Sequence, residues 1–213
     1  MLRSFPRWRQ SLGRTPLEEK LPWMSFSAID FLNEKMRKNW EVFEWGVGGS
    51  TNFLAFRVNQ LVSVEHDPDW AEKVQLNMNN GVPTSWQLII LPPKTVMRST
   101  LVNPCNPLDY SSAVECYSNK SFQDYATVID RFENGHFDLV IVDGRCRLGC
   151  AMHAITKLKP GGYLIFDDCE RPRYTWIHDE MKRLDWEFRY FNGPGPFTWD
   201  FRHTGCWKKP EKS

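Results

Sequence analysis

Short runs of apolar residues recur along this chain, and each is long enough to form one buried β-strand. Within a run, valine, isoleucine, leucine and aromatic residues stand next to one another more often than they alternate with polar residues. Such runs are typical of strands covered on both faces of a parallel sheet. The five predicted strands of this kind are residues 41–45, 61–65, 87–91, 137–142 and 163–166.

The segments between these strands predict helices, because their apolar residues return every three or four positions. Ile29, Leu32 and Met36 form one such stripe, and Ser27 is interpreted as the start of a capping box for that helix. Further helices are predicted from Ser50, from Asp67, over 122–132, around 150–158 and from Pro172. Alternating strands and helices indicate an α/β fold.

Two more strands, 186–191 and 204–208, follow one another with no helix between them, so one of them is expected to run antiparallel. The predicted fold is a doubly wound, mostly parallel seven-stranded sheet with an antiparallel last strand. The chain of 213 residues suits a single domain, which we assign to residues 21–209. Residues 93–121 are rich in Pro, Ser and Asn and predict a lid or insertion loop.

The charge balance indicates which partners to expect, and the cysteine content indicates the cellular compartment. Residues 1–17 carry four arginines and no acid, and residues 1–20 are interpreted as a basic tail because Pro6 and Pro16 would interrupt an amphipathic helix. An organellar transit peptide is the alternative. Lys plus Arg (27) nearly balances Asp plus Glu (26), so neither nucleic acid nor a membrane is an expected partner. Six scattered cysteines indicate free thiols and a cytoplasmic location.

Acidic residues collect at the carboxyl ends of the predicted strands, which is where open α/β sheets bind ligands. Glu44 and Glu65 close the first two strands, Asp143 closes the fourth, and Asp167 and Asp168 close the fifth. A carboxylate at a strand end is partly desolvated and needs a partner. These acids therefore predict a binding site along one edge of the sheet.

The glycine-rich turn at 46–49 predicts what this site binds. A dinucleotide fingerprint has the spacing G-x-G-x-x-G, and here the third glycine is replaced by Thr51. Glu44, two residues before Gly46, would repel a pyrophosphate and attract an ammonium or sulfonium group. The pattern favours S-adenosylmethionine over NAD.

Four motifs together resemble the class I S-adenosylmethionine-dependent methyltransferases, over residues from about 20 to 209. They are FEWGVGGST (43–51), VSVEHD (62–67), FDLVIVDG (137–144) and LKPGGYLIFDD (158–168). The resemblance implies a Rossmann-like methyltransferase fold in which Glu44 orients the methionine amino group, Glu65 holds the ribose hydroxyls and Asp143 lies near the transferred methyl. The residues expected at the cofactor are Glu44, Gly46, Gly48, Ser50, Glu65, His66 and Asp143.

For the reaction, we expect a small molecule or sugar whose hydroxyl must lose a proton. Asp143, Asp168 and His153 are the candidate catalytic residues, with His153 or Asp168 as general base. Alternatively, Asp143, Asp167 and Asp168 bind Mg²⁺, as similar acids do in catechol O-methyltransferases.

Several alternatives stay open at this point. His153 lies beside the apolar stripe of its helix and is also interpretable as a structural residue, while Arg145 either pairs with a strand-end acid or contacts substrate. Two other functions are an NAD(P)-dependent oxidoreductase, which Glu65 alone would allow, and a non-catalytic binding protein with the same fold. Nothing in the sequence indicates the oligomeric state.

Overall fold

A seven-stranded sheet forms the centre of the molecule in a computed structural model, which describes residues 4–78, 81, 83, 85–97 and 103–211. The strands are β1 (Glu41–Trp45), β2 (Gln60–Glu65), β3 (Trp86–Ile90), β4 (Lys94–Thr95), β5 (Lys120–Ser121), β6 (Phe137–Val142), β7 (Leu158–Asp167), β8 (Glu187–Pro194) and β9 (Phe201–Lys208). The sheet has the order β3-β2-β1-β6-β7-β9-β8, and β4 and β5 form a separate antiparallel pair.

The sheet topology confirms the predicted fold class. β1 pairs in parallel with β2 on one side and with β6 on the other, so the chain reverses its direction of winding beside β1. β9 runs antiparallel between β7 and β8. Ligands of open α/β sheets bind outside the carboxyl ends of the strands at such a reversal. The ends of β1, β2 and β6 therefore face the expected site.

Helices cover both faces of the sheet. They are α1 (Phe5–Ser11), α2 (Pro16–Glu19), α3 (Phe26–Lys35), α4 (Gly49–Ala55), α5 (Pro68–Asn77), α6 (Gln123–Thr127), α7 (Arg147–Lys157) and α8 (Thr175–Arg183). Successive residues of a strand point to opposite faces. Phe43 and Trp45 therefore belong to a hydrophobic cluster with residues of α6 and α7. Val42 belongs to a different hydrophobic cluster, which contains residues of α3 and α4. Every helix in the described part of the chain is too short or too polar to traverse a bilayer.

The first twenty residues differ from the expected basic tail. Pro6 and Pro16 lie in the first turns of α1 and α2, where the missing N–H breaks no helical hydrogen bond, so the prolines start these helices instead of interrupting them. Trp8 donates its indole N–H to the Thr198 carbonyl at 2.8 Å, and Ser11 is buried. Residues 5–19 are thus folded onto the domain.

The segment expected as a lid or insertion loop has short elements of its own. Residues 93–97 and 103–121 contain β4, β5 and two 3₁₀ turns, Pro107–Asp109 and Glu115–Tyr117. Its two tyrosines reach the domain: the Tyr117 hydroxyl lies 3.0 Å from His66 Nε2, and the Tyr110 hydroxyl lies 3.0 Å from His153 Nε2. Residues 98–102 of this prediction lie outside the described residues. Its role as a lid stays a prediction.

Several element boundaries differ from those predicted. The N-cap of α3 is Ser25, which accepts from the Ala28 N–H, and not Ser27. β7 begins at Leu158 instead of at residue 163, because residues 159–162 form an irregularity inside the strand, between its pairings with Phe137 and Leu139. β8 and β9 are each longer than expected, and the connection between them shortens accordingly.

Candidate functional site

A cavity of about 330 Å³ lies at the carboxyl ends of β1, β2 and β6, beside the reversal in the sheet. It is lined by Gly46 and Val47 after β1, by Glu65, His66 and Asp67 at the end of β2, and by 143–145 after β6, together with Trp70 and Tyr117. The structure therefore brings Gly46, Glu65, His66 and Asp143 together at one cavity. Glu44, Gly48, Ser50, Asp168 and His153 do not line it.

Gly46 allows the turn after β1 to approach the backbone that follows β6. Its φ is +90°, a conformation that side chains strongly disfavour, and a Cβ there would lie 2.8 Å from the Asp143 carbonyl oxygen. Its N–H donates to the Val64 carbonyl at 2.9 Å, which fixes the turn against β2. The turn thus requires glycine at position 46 for close packing of backbone against backbone.

Glu44 lies beneath the glycine turn, fully buried. Its carboxylate accepts from Ser63 Oγ at 2.7 Å and from Ser50 Oγ at 3.0 Å, so it joins β2 to the first turn of α4. Burial raises the pKa of Glu44 to about 7, although hydrogen bonds from these hydroxyl groups partly offset the effect. The Glu44 side chain therefore does not line the cavity. It supports the glycine turn, which does.

Glu65 forms part of the cavity wall and is held by four contacts. Its Oε1 accepts from the backbone N–H groups of His66 and Asp67, at 2.7 and 2.9 Å, and lies 2.5 Å from His66 Nδ1. Its Oε2 accepts from the Val47 N–H at 3.1 Å. Burial alone would raise the pKa of Glu65, but the His66 side chain and these N–H groups lower it overall. The carboxylate is therefore fixed and ionised.

Arg147, in the first turn of α7, connects the remaining strand-end acids. Its Nη2 lies 3.0 Å from Asp143 Oδ1, while its Nη1 lies 3.1 Å from Asp168 Oδ2 and 3.8 Å from Asp167 Oδ2. Burial raises the pKa of Asp143, and the Arg147 guanidinium opposes this effect. One arginine thus holds three carboxylates from two strand ends.

Two further arginines contact the pair of acids at the end of β7. Asp167 is buried, with Arg202 Nη2 at 3.1 Å from one oxygen and Thr204 Oγ1 at 3.2 Å from the other. Burial raises the pKa of Asp167 well above its usual range. Asp168 contacts Arg171 Nη2 at 2.6 Å. Both carboxylates therefore have guanidinium partners inside the protein.

These contacts do not support the expectation of Mg²⁺ at Asp143, Asp167 and Asp168. Each of the three carboxylates faces a guanidinium, so a divalent cation placed among them would meet positive charge at short range. Along the described ranges, no group of three or more His, Cys, Asp or Glu side chains has an arrangement that could hold a metal ion. The residues do not fit a metal site.

His153 is placed away from both strand ends, in the middle of α7. Its Nδ1 lies 2.7 Å from Asp130 Oδ2 and its Nε2 lies 3.0 Å from the Tyr110 hydroxyl, so both ring nitrogens are engaged. The histidine connects α7 to the loop before β5 and to the turn after α6. This position favours the structural interpretation of His153 over its assignment as a general base.

The sequence did not identify several residues of the site. Arg147 pairs with Asp143, whereas Arg145 forms no ion pair with a described residue. The i, i+4 spacing of Asp143 and Arg147 at a helix start was a usable signal. Trp70, on α5, lines the cavity, and its indole N–H donates to the Val47 carbonyl at 2.8 Å. Tyr117 lies in a segment without periodicity, so no pattern indicated it.

Comparisons with known proteins give matches by structure only. No protein-family model matches the chain, and no curated protein matches it. An O-methyltransferase from Streptomyces achromogenes involved in tomaymycin synthesis, solved in complex with S-adenosylmethionine, is similar with a TM-score of 0.59 at 16% identity, over 91% of this chain and 89% of that one.

Two other similar structures are of enzymes whose names indicate different methyl acceptors. A precorrin-6y C5,15-methyltransferase from Geobacter metallireducens has a TM-score of 0.54 at 11% identity, covering 85% of this chain and 86% of that one. An rRNA methylase from Streptococcus thermophilus has a TM-score of 0.54 at 12% identity, covering 85% and 93%. Identities this low establish the fold and not the acceptor. The sheet order and these matches together show that the chain has the fold of the class I S-adenosylmethionine-dependent methyltransferases.

Proposed function

We propose that this protein transfers the methyl group of S-adenosylmethionine to a hydroxyl group of a small-molecule or sugar acceptor. The observation that carries the proposal is the cavity at the reversal of the sheet, with Glu65 and Asp143 in its wall beside the glycine turn. A fixed carboxylate at the end of the second strand suits a ribose, and a second carboxylate nearby suits a positively charged sulfur.

The hydrogen bonds of Glu65 leave room for this role. Each carboxylate oxygen can accept about two hydrogen bonds. Oε1 is engaged by His66 and Asp67, but Oε2 accepts only from the Val47 N–H among the described residues. Oε2 can therefore accept one further hydroxyl proton from a bound ribose. The His66 ring, held 3.0 Å from the Tyr117 hydroxyl, would border the adenosine.

Asp143 is the best placed of the candidate catalytic residues. Bound S-adenosylmethionine supplies a methyl group already activated by its sulfonium, so the protein mainly positions the acceptor and removes its proton. Asp143 lines the cavity with its side chain 26% exposed, and burial raises its pKa toward the range useful for a base. Asp168 does not line this cavity, and both ring nitrogens of His153 already have partners.

Different features support the proposed acceptor class and the proposed location. The nearly balanced charge supports a small acceptor over nucleic acid, which would require a basic face. The six cysteines are free thiols, four of them buried, which supports a reducing compartment such as the cytoplasm.

Calorimetric titration tests the cofactor. We expect S-adenosylmethionine and S-adenosylhomocysteine to bind at micromolar concentrations, and NAD not to bind. Glu65→Gln should weaken binding about 10- to 100-fold, because a hydrogen bond to a charged group is lost. Glu72→Gln, which changes an exposed carboxylate on α5, is the matched control and should bind normally. Binding of NAD instead would favour the oxidoreductase, and binding of neither would favour a non-catalytic protein.

A further inference from the structure

A second, smaller cavity of about 50 Å³ adjoins the cofactor cavity and shares Gly144 and Arg145 with it. Its lining includes four arginines and two serines: Arg145, Arg147, Arg171, Arg173, Ser111 and Ser112. No acidic side chain of the described residues lines it. The first cavity differs in charge, because Glu65, Asp67 and Asp143 line it together with the shared Arg145.

Two of the four arginines are neutralised within the protein. Arg147 contacts Asp143 and Asp168, and Arg171 contacts Asp168 at 2.6 Å. Arg145 and Arg173 have no carboxylate within 4.0 Å in the part of the chain that the structure describes. Two positive charges at this cavity are therefore uncompensated, and both side chains are only partly exposed.

Unsatisfied hydrogen-bonding groups lie at the same place. Arg145 Nε and Ser111 Oγ are both shielded from solvent and have no hydrogen-bond partner among the described residues. Leaving a buried polar group unpaired costs about 1–3 kcal/mol, and more when the group is charged, so native proteins rarely keep several without a purpose. The Arg145 guanidinium lies over the Tyr117 ring, with its central carbon 5.9 Å from the ring centroid.

Size and geometry indicate what would satisfy these groups. A buried water requires on the order of 10–15 Å³, so this cavity holds a group of a few heavy atoms and not a nucleotide or a sugar ring. Guanidinium groups match the paired oxygens of carboxylate, phosphate and sulfate groups. The Ser111 and Ser112 hydroxyls can donate to the same oxygens.

We propose that this cavity binds an oxyanion carried by the methyl acceptor: a carboxylate, phosphate or sulfate group. The assignment to the acceptor rests on the proposed methyl transfer, because the cavity begins at Gly144, next to Asp143 in the wall of the cofactor cavity. An acceptor held by its anionic end at Arg145 and Arg173 would direct its other end toward Asp143. The two cavities then separate a cationic cofactor from an anionic substrate.

Thermal unfolding with inorganic phosphate, sodium sulfate and sodium acetate as probes tests the proposal, with KCl at matched ionic strength and saturating S-adenosylhomocysteine. We expect at least one probe to raise the Tm of the unmodified protein beyond the effect of KCl. Arg173→Gln and Arg145→Gln should each raise the Kd of that probe about 10-fold or more. Arg131→Gln, an exposed arginine that lines neither cavity, should leave the Kd unchanged.

The probe that binds distinguishes the sources of the oxyanion: acetate indicates a carboxylate, whereas phosphate or sulfate indicates an ester of those acids. The proposal is overturned if no probe acts beyond KCl, or if Arg131→Gln weakens binding as much as Arg173→Gln does. Calorimetry with S-adenosylhomocysteine alone separates this failure from failure of the proposed function. Phosphate binding to a protein that does not bind S-adenosylhomocysteine would overturn the assignment to a methyl acceptor.

Should Arg145→Gln unfold the protein, two milder changes keep the test decisive. Ser111→Ala removes a hydroxyl for which the described residues offer no hydrogen-bond partner, so it should leave the fold intact and weaken binding of the probe. Arg173→Lys keeps the charge but loses the planar pair of donors, and it should weaken binding less than Arg173→Gln does. Equal probe affinity in all of these variants would overturn the proposal.

Discussion

Replacing Glu44 by glutamine should change how the stability of this protein depends on pH. Burial raises the pKa of Glu44 from 4.5 to about 7. Below pH 4.5 the carboxyl is protonated in the folded and unfolded chains, so it imposes no penalty. Between 4.5 and about 7 only the unfolded chain ionises, and folding stability falls as the pH rises through this range. Above about 7 the penalty is constant, at about 3 kcal/mol.

The assay is urea unfolding at a series of pH values from about 4 to about 8, analysed as a two-state transition. Glutamine resembles the neutral carboxyl and does not titrate, so the stability of the native protein minus that of Glu44→Gln should fall by about 3 kcal/mol over this range. Subtracting the two curves removes the shared titration of Asp143 and Asp167. Glu72→Gln serves as the control and should give no such trend. A difference that stays constant with pH would refute the reasoning.

Four other changes test the site. Arg147→Met should lower the free energy of unfolding by roughly 3–5 kcal/mol in urea, because Asp143 loses its guanidinium partner while Asp167 and Asp168 each lose one of theirs; a loss no larger than that of a surface substitution would contradict this. Gly46→Ala should cost at least about 1–2 kcal/mol and weaken binding of S-adenosylhomocysteine, whereas Gly193→Ala, where a Cβ meets nothing within 4 Å, should do neither. Magnesium chloride should change the Tm no more than sodium chloride of equal ionic strength does, and a specific stabilisation would restore the metal hypothesis. His153→Gln should reduce stability but leave the Kd of S-adenosylhomocysteine unchanged in calorimetry, and a weakened Kd would return it to the site.

The sheet was predictable because its strands are buried on both faces. A run such as Phe137–Val142 carries its own signal, since only the interior of a parallel sheet favours five apolar residues in six positions. The acids at the strand ends were predictable for the complementary reason, because the end of a buried strand is the first place where a carboxylate can meet a partner. Their number and order along the chain identified the edge at which the cavity lies.

The partners of those acids were not predictable from local pattern. Arg202 reaches Asp167 from β9, 35 residues further along the chain, through strand pairing that no periodicity specifies. Metal coordination and guanidinium pairing place similar demands on carboxylates, so the sequence could not separate them. The role of Glu44 was also hidden, because the serines that fix it, Ser50 and Ser63, belong to a helix start and a neighbouring strand.

The prolines at positions 6 and 16 misled the sequence interpretation because their effect depends on where a helix begins. Proline in the interior of a helix breaks it, whereas proline in the first turn costs nothing. The same uncertainty of a few residues moved the cap of α3 from Ser27 to Ser25. The first residue of a helix depends on single capping hydrogen bonds, and hydrophobic periodicity says little about where these form.

The folded start of the chain forms a tie between two regions far apart in sequence. The carbonyl oxygens of Pro16 and Leu21 lie so close to Gly49 that a methyl group there would overlap them, and Ser11 Oγ accepts from the Phe197 N–H at 3.1 Å. Residues 11–21 therefore contact both the glycine-rich turn and the connection between β8 and β9. Hydrogen exchange at the Phe197 amide should report when this contact opens, and removing residues 4–21 would free both regions at once.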